Sequence, residues 1–400
     1  CPYLCQSLKW SAAFYPTMRQ RRMALLLMSM LCLFLPSATR ADQLSQESED
    51  QLAAYDLSAW EAYYESLPES VRAIWEGADL TGLIKRIAGG EGISYDNFLG
   101  SIGSAALHAL REQAGIYISL IGVALISAIA EILCGGREGT GETVGILCFG
   151  MSAAAISYAL MQMVSVARTA IDALCAFMEI ATPVLSFSLA AVGSVTLSGA
   201  VQPTMAFLSA TIAGVFKTVI LPLTAAGGAA VIVGGLTQRM GLSQVHKLIK
   251  SAVKWITGAV FTIYFGIVAL QGLSMGGADS LALRAAKYTL DKSVPIVGGV
   301  ASGTLETVIG SAVLIKNAVG AAAMLIVVGV AVSPLLQIAC AGFACKIVAA
   351  LCAPLSGDGR ITKLLGDLSD VYNSLFAAVT AVALMFIITA GLVMAAGNIL

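Results

Sequence analysis

From Ala114 to Leu400 the chain is one apolar stretch after another, separated only by short polar clusters. That pattern constrains the fold more than any motif does. No water-soluble domain can hide so much apolar surface, whereas a bilayer takes it out of water without further packing partners. Composition agrees, with 58% of the 400 residues hydrophobic, 12% charged and a mean hydropathy of +0.85. The runs are continuous rather than alternating apolar with polar, so they predict helices, which close their backbone hydrogen bonds internally, and not the strands of an outer-membrane barrel. The expected fold class is all-α: a polytopic helical membrane protein with a small N-terminal exported helical region.

The formal net charge of −1 conceals an asymmetry. Acidic residues heavily outnumber basic ones between Asp42 and Arg111, while Ala114–Leu400 is nearly balanced. Ahead of the acidic part stand the basic cluster Met18-Arg-Gln-Arg-Arg22, the apolar run Met23–Leu35, Pro36, and a small residue before a cleavage point near Ala41. Basic, apolar and small residues in that order read as a signal peptide over residues 18–41, with a retained anchor helix as the alternative. Residues 1–17 show no leader logic and read as an upstream extension, with Met18 or Met23 as the start. Residues 42–113 then form an exported acidic helical region, and 114–400 the multi-span membrane domain.

Within the acidic region, Leu57, Trp60, Tyr64 and Leu67 fall at helical spacing before Pro68, and Val71, Ile74 and Trp75 open a second short helix. Gly89-Gly90-Glu91-Gly92 reads as a turn before a third helix, since no strand precedes it and no Gly-Lys-Ser/Thr follows. Ten span candidates follow: Ala114–Cys134, Thr143–Val164, Phe177–Leu197, Thr204–Leu223, Ala225–Leu236, Trp255–Leu273, Val294–Ile315, Ala318–Leu336, Ile338–Pro354 and Asn373–Ala396. Ala225–Leu236 is too short to cross alone, and Val294–Ile315 is rich in Gly, Ser and Thr, so either fits a re-entrant or broken helix and eight to ten segments are expected. Leu242–Gly272 and Ile361–Gly391 share a plan of amphipathic helix, polar break and apolar span, which fits a duplicated module or the common grammar of membrane proteins.

Basic residues are retained on the cytoplasmic side, which places Arg239, Lys247, Lys250 and Lys254 there and the acidic region on the other. Lys247, Lys250 and Lys254 form one helical face against Leu242, Val245, Leu248, Ile249 and Val253, the pattern of a helix lying in the interface against anionic lipid, or of a docking surface. Charges inside spans are few and therefore informative, because each costs at least ~2.5 kcal/mol at mid-bilayer without a partner. Glu131, Lys217 and Lys346 sit near span ends and can snorkel. Glu179, Lys217, Glu306, Lys316 and Asn317 are the candidate polar or pathway residues, either as buried pairs (Glu306 with Lys316 through a break near Gly310, Glu179 with Lys217) or as the lining of a water-filled conduit. Gly299, Gly303, Gly310 and Gly320 are candidate packing or hinge positions, where small residues let helix backbones approach.

No cysteine lies in the exported region 42–113, Cys134, Cys148, Cys175, Cys340, Cys345 and Cys352 lie in or beside spans, where a small apolar thiol packs, and the two histidines are far apart, so neither a disulfide framework nor a metal site is expected. No Ser/His/Asp grouping, HExxH or P-loop occurs, which predicts neither an enzyme nor a cofactor. Basic surfaces interleaved with aromatics are missing too, so nucleic acid is not an expected partner.

Several short pieces in order resemble the stage III sporulation protein AE family of endospore-forming bacteria. They are Pro183-Val-Leu185 with Ala190-Ala-Val-Gly193, Leu221-Pro-Leu223, Leu270-Gln-Gly272, Leu283-Arg-Ala-Ala-Lys287 and Val294-Pro-Ile-Val-Gly-Gly299, then Thr307-Val-Ile-Gly310, Leu314-Ile-Lys-Asn-Ala-Val-Gly320, Pro334-Leu-Leu336, Ala353-Pro-Leu355 and Gly397-Asn398. The resemblance implies a mother-cell membrane subunit of the secretion-like channel complex joining mother cell and forespore. The partners it implies are a secretion-type ATPase, ring-forming membrane subunits and a forespore membrane partner, besides lipid and other copies of the chain. A secondary transporter or a non-conducting scaffold of the same complex stands as the alternative.

Overall fold

The computed structural model describes residues 52–67, 72, 79–89, scattered positions between 100 and 126, and 140–396 apart from 238–239, 294–297 and 354–359. In the membrane part, side chains are described chiefly over 150–235, 244–270, 309–353 and 362–396. The upstream extension, the signal peptide, the helix opened by Val71 and most of the first span candidate lie outside the described residues.

The described elements are helical, with no strand among the described residues. In chain order they are α1 (Ser58–Ser66), α2 (Leu80–Ala88), α3 (Thr140–Ala191), α4 (Val195–Val215), a π-helical turn (Phe216–Ile220), α5 (Leu221–Thr237), α6 (Met240–Ser293), α7 (Gly298–Cys352) and α8 (Arg360–Ala395). α1 is the helix expected from its apolar spacing, and it buries Trp60 and Tyr64. α2 starts where the Asp79 side chain accepts a hydrogen bond from the Gly82 N–H, one of the four amides a helix start leaves open. It stops at Gly89, in the turn expected there.

α3, α6 and α7 have 52, 54 and 55 residues. At ~1.5 Å per residue each is about 80 Å long, more than twice the ~30 Å hydrocarbon core. The span candidates are therefore carried on continuous rods. Thr143–Val164 and most of Phe177–Leu197 share α3, Thr204–Leu223 and Ala225–Leu236 share the α4–α5 rod, and the three candidates between Val294 and Pro354 run along α7. Pro183, Pro203 and Pro334 are all inside helices. Each removes one backbone donor, which packed neighbours in an apolar setting tolerate without a break. At Pro222 the rod adapts differently: the π-helical turn directly before it widens the backbone where the proline ring would otherwise strike the Thr218 carbonyl.

Among the described residues five helices are long and apolar enough to cross a membrane, counting α4–α5 as one rod. Gly193 joins the first two, with φ of 82° in the left-handed region that a glycine occupies without Cβ strain. The Gly193 N–H bonds the Ala190 carbonyl at 2.9 Å and the Ser194 N–H bonds the Leu189 carbonyl at 3.0 Å, closing the end of α3 in a Schellman motif. The α4–α5 rod then returns antiparallel along α3, as Ser198 Oγ donating to the Ser186 carbonyl at 2.7 Å and the Leu160–Gly228 contact show. α6 turns back along α5, with Ile249 against Gly227. α7 and α8 form the most extensive helix pair, antiparallel, with Ser369 Oγ donating to the Gly342 carbonyl at 3.0 Å near one end and Gly320 against Met394 at the other. α8 is the axis of the bundle, 78% buried over its apolar window, while α6 is 17% buried and forms an outer wall.

Candidate functional site

Lys316 lies on α7 fully buried, yet its side chain is not idle. Its Nζ donates to the carbonyl of Met394 at 2.9 Å and to that of Ala396. These carbonyls end α8, where the last turn has no amides to bond and the helix dipole leaves partial negative charge, so the ammonium serves as a C-terminal cap. One turn along α7, Gly320 lets Met394 come so close that a Cβ would overlap its side chain. The sequence-level expectation of a break near Gly310 is corrected here, because α7 passes Gly310 without interruption and a Cβ there would meet nothing within 4 Å. Asn317 is half-buried, with its Oδ1 enclosed and lacking a hydrogen-bond partner. Gly299, Gly303 and Glu306 lie on the helical backbone of α7, in a stretch whose side chains are outside the described residues.

A second polar contact sits at the π-helical turn. Lys217, which the sequence placed near a span end, lies at the middle of the α4–α5 rod and pairs with Asp172 on α3. Glu179, the partner expected from sequence, is two turns further along α3 and exposed. The hairpin register explains the difference: counting outward from Gly193, Lys217 meets the level of Asp172 and has passed that of Glu179. Asp172 was missed because it fell between two span candidates; the glycine turn was the signal that would have found it.

The basic face of α6 is also read differently by the fold. Its residues belong to the same unbroken helix as the following span, not to a separate helix lying in the interface. Ile249 and Val253 turn inward with His246, whose Nδ1 lies 3.3 Å from the Gly227 carbonyl, while Val245 and Leu248 are exposed. Lys250 donates to Asp370 Oδ2 on α8 at 2.6 Å, and Lys247 and Lys254 are exposed. Further along, Tyr264 on α6 and Thr389 on α8 share a buried hydroxyl–hydroxyl hydrogen bond that sequence gave no reason to expect. Cys175, Cys345 and Cys352 are buried, packed as expected of cysteines in spans.

The acidic region holds the bundle from one side. α1 packs on α3, with Trp60 and Tyr63 against Phe177 at ring separations of 5.7 and 5.3 Å and Tyr55 edge-on to Phe187 at 4.8 Å. The Tyr63 hydroxyl donates to the Ala173 carbonyl at 2.9 Å. Burial pushes the Tyr55 and Tyr63 hydroxyls up to about 12. The Tyr55 hydroxyl and the Trp60 indole N–H have no hydrogen-bond partner, so aromatic burial and not polar pairing drives this contact. α2 packs on α7, and Thr81 Oγ1 donates to Glu61 Oε1 at 2.7 Å to tie α2 to α1. The outer surface is hydrophilic: Asp56 and Glu65 are exposed, and hydrogen bonds from the Ser58 hydroxyl and N–H hold the Asp56 carboxyl below its usual range.

Long apolar helices in alternating directions, a lysine spent on capping a helix end and a polar strap on one flank define a polytopic helical membrane bundle. The chain matches the family of stage III sporulation protein AE over residues 78–397, and it belongs to that family. Stage III sporulation protein AE of Bacillus subtilis (strain 168) is 24% identical to it over 377 residues, which cover 90% of each chain. No solved structure matches the chain.

Proposed function

We propose that the protein is a non-catalytic membrane subunit of the secretion-like channel complex between mother cell and forespore, resident in the mother-cell (outer forespore) membrane. The observation that carries this reading is family membership across nearly the whole membrane domain. The orientation has residues 42–113 on the non-cytoplasmic side. In its support, α1 sits against Ala173–Phe187 toward the Gly193 end of the bundle, while Lys247, Lys250 and Lys254 lie toward the opposite end, where α5 passes into α6.

A subunit of the complex is favoured over a lone transporter by the occupation of Lys316 and Lys217. A substrate pathway needs intramembrane charges that water or cargo can reach. Here one lysine caps α8 and the other is paired with Asp172. Affinity isolation from sporulating cells tests the proposal: a secretion-type ATPase and ring-forming membrane proteins should co-purify. Recovery of a single chain with substrate uptake of its own would overturn it.

A further inference from the structure

The bundle has two unlike sides at one height. α3, α5 and α6 meet where Leu160 touches Gly228 and Ile249 touches Gly227, which fixes a common level for Leu160 and Ile249. α3 and α6 run in the same direction, both antiparallel to α5, so equal steps along them keep pace. About fifteen residues, or about 22 Å, further on they reach Cys175 and Tyr264. Ser209 Oγ, 3.5 Å from the Cys175 carbonyl, brings α4 to the same level.

On the α4–α6 side of that level the exposed large side chains are Phe207, Ile263 and Phe265, followed by Leu270, and the exposed Thr211 and Thr262 turn their hydroxyls back onto the helix carbonyls of Phe207 and Gly258, a surface suited to acyl chains. On the α3 side stand Glu179 and Ala176, both exposed, Asp172, and the strap α1 with Asp56 and Glu65 outward. Charged side chains are expelled from hydrocarbon, and no bilayer accommodates this flank in the way it accommodates the other. Bundle polarity at membrane depth is therefore one-sided.

We propose that the α3 side, with the strap lying on it, faces a water-filled space at membrane depth while α4 and α6 face lipid. The space lies outside the bundle, between this chain and its neighbours, because Glu179, Asp56 and Glu65 stand exposed on the outer surface of that flank. Its lining carries Glu179, Asp56 and Glu65 against the exposed Arg168 one turn from Asp172, an acidic excess that favours cationic over anionic solutes by simple electrostatics. That the space belongs to a channel rests on the proposed function; the two-sidedness does not.

Thiol labelling in native membranes of sporulating cells, opened so that reagent reaches both sides, tests the assignment. Single substitutions Glu179→Cys and Ala62→Cys on the strap side, and Phe207→Cys and Ile263→Cys on the other, are exposed to a membrane-impermeant maleimide, with the unsubstituted chain as baseline. Ala176→Cys, a smaller change on the same face, replaces Glu179→Cys if that chain does not accumulate. Strap-side thiols are expected to react about tenfold or more faster than the other pair, since maleimide needs a hydrated thiolate. Protection of all positions would place lipid or protein on both sides, and reaction of all would place this level outside the bilayer; either result overturns the proposal. Co-purification is read independently, so loss of the two-sided pattern and loss of the channel-subunit reading are told apart.

Discussion

Lys316 on α7 donates from Nζ to the Met394 carbonyl on α8 at 2.9 Å, so a buried ammonium closes the end of the helix at the axis of the bundle. The contact ties together two helices that are 78 positions apart at this point. Lys316→Met keeps length and apolar character but leaves the α8 carbonyls without their donor. An unsatisfied buried polar group costs about 1–3 kcal/mol, partly offset because the lysine itself no longer has to be desolvated. The expected order of thermal stability in detergent is therefore native, then Lys316→Met, then Lys316→Glu, whose carboxylate would face the negative end of α8. A glutamate variant as stable as the methionine variant would rule out the capping role.

Two glycines that look equivalent in the sequence should behave oppositely. A Cβ at Gly320 overlaps the Met394 side chain, with the Ala390 carbonyl behind it at 3.5 Å, so Gly320→Ala has to push α7 and α8 apart or force Met394 from its rotamer. Overpacking of this kind costs about 1–3 kcal/mol. Gly310→Ala meets nothing within 4 Å and removes a helix-weakening glycine, for a gain of about 0.5–1 kcal/mol. Melting of the two variants side by side is the measurement, and equal shifts would contradict the packing.

The sequence already specified a helical membrane protein, because unbroken apolar runs admit little else, and it marked α1 through the spacing of Trp60 and Tyr64. It also singled out Lys316, since a charge among apolar residues is conspicuous. What it could not carry was the partner. The sequence offered Glu306 as one pairing for Lys316, but it could not offer the Met394 and Ala396 carbonyls to which Lys316 donates, because a main-chain carbonyl is present at every residue and marked by none. The span candidates were divided at polar clusters such as Arg168–Asp172 and Lys316-Asn317, through which α3 and α7 run on as unbroken helix, because in an apolar surround the backbone has no other hydrogen-bond partner and stays helical.

The ion pair of Lys217 with Asp172 permits a charge-swap test. Both side chains are partly exposed, at 27% and 44%, so the pair itself is worth little, about 1 kcal/mol or less where water screens it. Asp172→Lys should do more harm than that by setting two cations together beside the π-helical turn. Adding Lys217→Asp should recover most of the loss, read as protein accumulation and melting temperature. Failure of the double variant to improve on the single one would mean that Lys217 answers to another group.

The strap on α3 should loosen in alkali within a defined window. Tyr55 and Tyr63 are pushed from the ordinary tyrosine value of 10.0 up to about 12 by burial, so the folded state favours their neutral form. A group raised in this way contributes its full stabilisation below pH 10 and loses it as the pH climbs toward 12. The Tyr63 hydroxyl would at the same point cease to be a donor to Ala173. Ultraviolet titration of the detergent-solubilised protein should therefore show a late-ionising class of tyrosines, reduced in Tyr55→Phe and Tyr63→Phe. Tyr63→Phe alone should weaken the strap at neutral pH by about 0.5–1.5 kcal/mol, the net worth of one hydrogen bond. Limited proteolysis of the strap reads that weakening, and a cleavage rate unchanged by the substitution would show that the Tyr63–Ala173 bond does not hold α1 in place.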